Sequence, residues 1–489
     1  MTIRTQVISG LRWTVGARLT AQLITWAITL LVIRILSPSD YGLLAMAMVF
    51  VAFLSMFSEF GLGSAIIQKT EVDEDTLKRT LAVIIAIHAS LAALLALSAP
   101  LIAAFFTEGR LVPIVRVLSL QFVIAAFAVI PDALLQRRMA FRGRSLVDLS
   151  AAVVGAITTL CLALAGEGVW ALIASSLLTQ AWKTIGINLL APFVRWPHFS
   201  LKGMRSLVRF GGHVTAAQGL WMFFTQVDAL ICGKFLGKDA LGFYSVALHL
   251  ASLPNQRIAG IINQIAFPAF SRIQHDVGKV GANLLLGVRL LSFFSFPVLW
   301  GISSIAPEIV EVILGPKWGP SALPLQLMGL VMPLRIINNF VPNATQGIGR
   351  SDILLKNAIF AAFIMPAAFL TGVHWGLLGL SIAWLVAVPI AFLQNMLRSL
   401  PVIGLNLHML AKAMMPSTIA CAAMYLAVIA TRLTLTIELG GTLRLVLLVL
   451  AGAVTYLATS FWWNRAGIRE TLHVIRSVAT SGNDGSVAK

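Results

Sequence analysis

Seven polar residues stand out because of what surrounds them. Arg18, Glu59, Gln226, Asp228, Asn255, Arg257 and Asn263 each interrupt a run of Leu, Ile, Val, Ala and Phe. An ionised side chain at the centre of an apolar phase costs about 2.5–3.5 kcal/mol on insertion scales, so each needs a partner or a task. Arginine stays charged and presents a planar fork of donors that grips phosphate oxygens in pairs. Arg18 and Arg257 are therefore the candidates for holding a phosphorylated group, a pyrophosphate for example, in a hydrated cationic cavity. Gln226, Asn255 and Asn263 offer amide donors and acceptors to hydroxyl-rich matter. Asp228 and Glu59 are the candidates for carrying a proton or a sodium ion. A second reading stays open, in which Arg18 or Arg257 neutralises Glu59 or Asp228 in a structural pair. Arg335 with Asn338 and Asn339, and Lys183 beside Gln180, are further polar groups inside apolar runs. Lys183 lies near enough to a helix end to snorkel, and His88 and His249 read as packed histidines.

The patterns that would make an enzyme are missing. There is no Walker A loop, no pair of metal ligands at helical spacing, and no nucleophile with a His or acid partner nearby. Cys161, Cys232 and Cys421 lie inside apolar runs without ligand or redox spacing and read as small packing residues. No cofactor and no metal are expected. Coupling to H+ or Na+ through Asp228 or Glu59 is the one ionic requirement the residues suggest.

The elements that must position these residues are membrane helices. The chain is 58% hydrophobic and 11% charged over 489 residues, whereas soluble domains carry about a quarter charged residues. A water-facing surface cannot be built from so few charges, so the surface faces lipid. Continuous apolar runs of about 20 residues select helices over the alternating strands of a barrel. The runs predict spans at 11–36, 42–67, 80–105, 114–135, 146–165, 168–190, 207–236, 241–266, 285–306, 322–345, 355–373, 376–397, 410–431 and 442–462. That is an all-α integral membrane fold of about fourteen helices. The connections alternate in charge. Of the 36 Lys and Arg, 24 collect on one side and 8 on the other (Arg34, Arg110, Arg116, Lys234, Lys238, Lys317, Arg432 and Arg444). The remaining four are Arg18, Lys183, Arg257 and Arg335, inside spans. Such a bias places both termini in the cytoplasm of a multi-pass inner-membrane protein. The net charge of +17 is thereby a topology signal and calls for no nucleic acid. The first run is too long for a cleaved signal core and is read as helix one.

Two halves repeat. Arg34-Ile35-Leu36 with Asp40-Tyr41-Gly42 matches Lys234-Phe235-Leu236 with Ala240-Leu241-Gly242; Ala99-Pro100 matches Ala306-Pro307; Pro131-Asp132-Ala133 with Gln136 matches Pro342-Asn343-Ala344 with Gln346. Six spans per unit is an even number, so the halves share one orientation, as in a parallel repeat about an axis along the membrane normal. The expected domains are an N-terminal six-helix lobe (1–205), a second six-helix lobe (206–400) around a central cavity, an appended hairpin (401–462) and a cytoplasmic tail (463–489). In the tail Ile468, Leu472, Ile475 and Val478 oppose Arg465, Arg469 and Arg476, the pattern of an amphipathic helix on anionic lipid.

At GKFLGKDALGFYSVALHLASLP (233–254), with TQVDALI (225–231) before it, the chain resembles the polysaccharide repeat-unit flippases, Wzx-type and colanic-acid-exporter-like, of the multidrug/oligosaccharidyl-lipid/polysaccharide flippase superfamily. RILSPSDYGLLAMA (34–47), FSEFGLGSAIIQ (57–68), APEIVEVILGPKWGPSALPLQLM (306–328) and GEGVWALIAS (166–175) carry the same resemblance, which spans about 5–460. It implies an undecaprenyl-pyrophosphate-linked oligosaccharide as cargo, moved from the cytoplasmic to the periplasmic leaflet by alternating access. It implies a V-shaped pair of lobes with helices one, two, seven and eight lining the cavity, so that Arg18 and Arg257 would hold pyrophosphate. Relatives of the colanic-acid type carry acids on the seventh helix, comparable with Asp228. Related peptidoglycan-precursor flippases form a lipid-tail groove from their last two spans, a role implied here for 410–462. The implied partners are the lipid-linked oligosaccharide, membrane lipids and the polymerase or export machinery of exopolysaccharide, O-antigen or lipopolysaccharide synthesis; the chain is expected to be monomeric. A cation-coupled drug antiporter of the same superfamily would favour an acidic cavity instead. A membrane-embedded polymerase or glycosyltransferase would need a large outer loop or acidic catalytic motif.

Overall fold

The computed structural model describes residues 22, 24–59, 66, 73–138, 140–193, 195–198, 205–435, 440–465 and 467–471; for 59, 141, 205–225 and 256–265 it describes the backbone alone. The described residues are mostly helical, with no strand among them, as an apolar phase requires when every backbone N–H must find its carbonyl within its own segment. The helices are α1 (Ile24–Ile35), α2 (Pro38–Glu59), α3 (Glu74–Phe106), α4 (Leu111–Ala126), α5 (Val129–Arg137), α6 (Phe141–Leu164), α7 (Val169–Leu190), α8 (Arg205–Arg272), α9 (Val277–Ser304), α11 being preceded by α10 (Ala306–Ile309) and running Ala322–Gly347, α12 (Ser351–Gly372), α13 (Gly376–Ser399), α14 (Leu407–Thr434) and α15 (Gly441–Trp463). Among the described residues, helix lies over each segment expected to cross, the first two (11–36 and 42–67) in part. By length and composition eight segments qualify as crossings among the described residues, or nine with α4 and α5 as one bent span.

Contacts divide the chain into two compact units, Met1–Gly242 and Phe243–Lys489. In the first, α3 packs on α4 and α6 on α7. In the second, α9 packs on α11 and α14, α13 on α11 and α12, and α14 on α15. Each unit keeps an apolar interior, with Leu81, Ile84 and Ile130 in one and Leu284, Val288, Ile337 and Met396 in the other. Outward-facing positions are apolar too: Leu97 is 79% exposed and Phe363 75%. Surfaces of that kind belong in lipid.

Local chemistry sets the ends. Ser37 and Asp40 close a reciprocal cap on α2, Ser37 N–H donating to Asp40 Oδ2 at 2.9 Å and Asp40 N–H to Ser37 Oγ at 3.2 Å. Asp73, Asp276 and Asn406 cap α3, α9 and α14 by accepting backbone N–H bonds. Gly237, at φ 81° and ψ −176°, breaks α8 into two arms, a conformation open to glycine.

The expected span 114–135 is not straight: α4 and α5 meet at 42°. Pro131 is the cause. Its ring lacks an N–H and crowds the carbonyl four residues back, that of Phe127. The freed Phe127 carbonyl accepts from Asn188 Nδ2 on α7 at 2.9 Å. The second unit repeats the device. Pro342 frees the carbonyl of Asn338, which accepts from Asn395 Nδ2 on α13 at 3.4 Å. Asn188 and Asn395 stand at the spacing that also separates Pro100 from Pro307. There α11 stays continuous, because Asn343 Nδ2 also donates to the carbonyls of Asn339 and Phe340 at 3.3 and 3.1 Å.

The repeated motif around Gly42 and Gly242 has a physical counterpart within the first unit. A Cβ on Gly42 would lie 1.8 Å from the Lys238 carbonyl oxygen, and one on Gly242 would lie 1.9 Å from that of Pro38. Pro38 corresponds to Lys238 and Gly42 to Gly242, so the two copies of the motif meet through the same residues, as a two-fold-related contact must.

Candidate functional site

The polar residues read from the sequence sort by helix. Arg18 lies outside the described residues. Glu59 is the last residue of α2, and Arg257 and Asn263 lie on the second arm of α8; their side chains are outside the described set. Asn255, on the same arm, is 8% exposed, and its Oδ1 has no hydrogen-bond partner among the described residues. A buried amide oxygen left so costs about 1–3 kcal/mol unless something occupies it. Gln226 and Asp228 sit on the first arm. Asp228 is buried at 3% exposure and engaged with a partner, whereas Gln226 is half-buried. Two residues apart on a helix, they project to opposite sides. One face of α8 therefore presents one of them, not both.

The second unit holds a polar interior that joins three helices. Tyr244 on α8 is fully buried, and Trp384 Nε1–H on α13 donates to its hydroxyl at 2.6 Å. The Arg335 guanidinium, on α11, lies 5.0 Å from the centroid of a Trp384 ring. A cation over an indole face gains about 0.5–2 kcal/mol and keeps its charge. Arg335 is thus a seated cation inside a span.

Below it lies an amide network. Asn395 Nδ2 donates to Asn338 Oδ1 at 2.8 Å, and its Oδ1 accepts from Asn357 Nδ2 at 2.6 Å and Ser399 Oγ at 2.8 Å. Gln394 Nε2 donates to Asn357 Oδ1 at 3.1 Å. The chain of bonds ties α11, α12 and α13 at one depth. Satisfied networks of this kind rigidify a core.

A third cluster pins α14 and α15. Glu308, 5% exposed, accepts from Arg432 at 2.7 Å and faces Arg444 at 3.6 Å, while Arg432 also donates to the Ser304 carbonyl. Sequence reasoning missed it. Glu308 had the only available signal, an acid beside the internally repeated Ala306-Pro307, but its partners lie more than a hundred residues on.

Other polar groups take structural parts. His88 Nδ1–H donates to the Phe122 carbonyl at 2.8 Å, joining α3 to α4. Lys183 pairs with Asp148 at 2.9 Å, joining α7 to α6. Between α3 and α4, Glu108 accepts from Lys238 and Arg110, and the Lys238 ammonium above all draws its carboxyl down to about 2. No group of three His, Cys, Asp or Glu that would hold a metal occurs among the described residues.

The structure is similar to the lipid II flippase MurJ in an inward closed conformation, with a TM-score of 0.75 at 16% identity over 92% of this chain and 99% of that one. It is also similar to an inward-facing multidrug resistance MATE family transporter of the MOP superfamily, at 0.62 and 17% over 78% and 95%. In sequence the chain is 26% identical over 408 residues to the lipopolysaccharide biosynthesis protein WzxC of Escherichia coli (strain K12), covering 83% of each. It is 26% identical over 464 residues to the teichuronic acid biosynthesis protein TuaB of Bacillus subtilis (strain 168), covering 93% and 95%. The fold is that of these multi-pass membrane proteins. The chain belongs to the polysaccharide biosynthesis protein family, whose model matches residues 31–323.

Proposed function

We propose that this protein translocates undecaprenyl-pyrophosphate-linked oligosaccharide repeat units from the cytoplasmic to the periplasmic leaflet of a bacterial inner membrane. Their destination is exopolysaccharide, O-antigen or lipopolysaccharide. The observation that carries the reading is the pair of arginines, Arg18 and Arg257, inside predicted spans one and eight of a chain that matches the polysaccharide biosynthesis protein family over residues 31–323. Arginine is the side chain suited to pyrophosphate. A sugar head group needs such a wet path, because each unpaired hydroxyl in hydrocarbon costs a few kcal/mol.

In this scheme Arg18 and Arg257 hold the pyrophosphate while the isoprenoid stays in lipid. Gln226, Asn255 and Asn263 face sugar hydroxyls; Asn255, with a buried oxygen to offer, is two positions from Arg257 on the same arm and so serves a different part of the head group. Outward movement of the anion runs with a potential negative inside, about 2.3 kcal/mol per charge per 100 mV. The empty cationic cavity is drawn back by the same field. Asp228 or Glu59 carries the H+ or Na+ of any ion coupling. Both termini lie in the cytoplasm, the tail on anionic lipid, and the chain works as a monomer beside a polymerase.

The test is Arg257→Glu in the native cell. Surface polymer should vanish and lipid-linked repeat units accumulate on the inner face, with the variant still present in the membrane. Polymer at the parental yield would refute the role of Arg257, and unchanged polymer on deletion of the gene would refute the cargo.

A further inference from the structure

We propose that the outer face of the α12–α13 hairpin is a binding site for an anionic glycerophospholipid, separate from the cargo path. A groove of about 400 Å³ runs along α12 past Ile359, Phe360, Phe363 and Ala367, and Lys356 and Arg398 stand at one end of it. The helical residues fall at i, i+3, i+4, i+7 and i+11 from Lys356, one continuous stripe. Because α12 and α13 are antiparallel neighbours, the second turn of α12 and the last turn of α13 lie at the same membrane depth. The two cations are therefore side by side at the headgroup level while the stripe descends from them.

Apolar exposure alone would say nothing in a bilayer, where every outer face is apolar. Three features single this face out. It is concave: a cavity of about 400 Å³ is lined by Phe360, Phe363 and Ile364 of α12 and by Arg398 of the neighbouring helix. It is one leaflet long: Lys356 to Ala367 rises about 16 Å, close to half of a hydrocarbon core of about 30 Å. And its charge sits at one end only. Asp352 is engaged by Arg350 through two bonds of 2.8 and 3.1 Å and shares one oxygen with Lys356 at 3.4 Å. Arg398 is exposed and makes no ion pair among the described residues. Arg350, Lys356 and Arg398 against Asp352 leave two positive charges uncompensated. A phosphate above a single chain-length of apolar groove is the chemistry of a phospholipid in one leaflet. The Asn338–Asn395–Asn357 network holds the two helices in register behind the site, so the cations need no rearrangement to meet a headgroup.

The probe is dioleoyl-phosphatidylglycerol, compared with dioleoyl-phosphatidylcholine, titrated onto the purified full-length protein and counted as bound lipid by native mass spectrometry. The parent should retain phosphatidylglycerol in preference. At about 1 kcal/mol per basic residue near a phosphate, Lys356→Gln and Arg398→Gln should each weaken it about fivefold and the double variant about thirtyfold, with Lys279→Gln as a neutral control. Ala367→Trp keeps both cations and fills the groove; it should lower phosphatidylglycerol retention as well, and it tests the site if the charge variants fold poorly. Three results overturn the proposal: retention by the double variant equal to the parent, no effect of Ala367→Trp, or displacement of the lipid by inorganic phosphate alone. Displacement by undecaprenyl pyrophosphate, lost in the double variant, would assign the groove to cargo and overturn it equally.

Discussion

Breaking the Glu308 cluster gives the most quantitative expectation. Glu308 is nearly inaccessible, and Arg432 and Arg444 retain 21% and 38% side-chain exposure. Removing one partner of a buried pair costs about 3–5 kcal/mol, because the other charge stays behind without compensation. Here the two directions differ. Glu308→Ala leaves Arg432, which is partly wet and still bonded to the Ser304 carbonyl, so the low end of that range, about 3 kcal/mol, applies. Arg432→Gln leaves the more deeply buried Glu308 with Arg444 at 3.6 Å, a partly exposed pair of the kind worth at most about 1 kcal/mol. That variant should lose more, about 4 kcal/mol. The double variant should lose less than the two singles together, since it leaves only Arg444 without its carboxylate, and that side chain is 38% exposed.

The assay is thermal unfolding of the purified protein combined with hydrogen exchange across Leu407–Trp463. A loss of 3 kcal/mol in a unit of this size moves Tm by about 6–12 °C, and exchange should rise in α14 and α15 first, because the cluster is what ties them to Ser304 and Glu308. If the singles add in the double to within about 0.5 kcal/mol, no coupling exists and the argument fails. Exchange that rises evenly over Phe243–Trp463 would likewise show that the hairpin is not pinned there.

Gly42→Ala and Gly242→Ala should each abolish recovery of monodisperse protein, since the added methyl meets a backbone carbonyl at under 2 Å; Gly301→Ala, which meets nothing within 4 Å, should behave as the parent on size exclusion. The Glu108 carboxyl, held down to about 2 chiefly by Lys238, contributes stability that is complete above its ordinary value of 4.5 and is lost as the pH falls from there through about 2. A Tm profile should therefore show the parent exceeding Glu108→Gln by a constant margin at neutral pH and converging with it over that acid window; a constant margin to pH 2 would contradict it. Asp228→Asn should abolish any H+ or Na+ dependence of transport in proteoliposomes while sparing membrane insertion, and an unchanged ion dependence would remove Asp228 from coupling.

What was legible in the sequence is what a helix decides by itself. Hydropathy over about 20 residues does not depend on neighbours, so helix lies over the described part of each expected segment. The bend at Pro131 was legible in principle, because proline's effect on the carbonyl four residues back is local, yet the kindred Pro342 lies in a helix that stays continuous. The difference is a side chain: Asn343 supplies donors to the carbonyls beside it, where Asp132 supplies none. The same limit governs the candidate site. That Arg335 needed a partner could be read from its setting, but Trp384 could not be chosen from the other tryptophans without knowing that α11 packs on α13. Spacing also carried a constraint that composition hid, since Gln226 and Asp228, both polar and both on one arm, cannot share a face. Where a function depends on which helix meets which, sequence ranks the residues that need an explanation and packing supplies it. Asn188 and Asn395 show the point most clearly. Each serves the carbonyl that a repeated proline frees, and nothing in the local sequence of either marks it for that task; only the recurrence of the pair in both halves turns two isolated amides into a repeated architectural device.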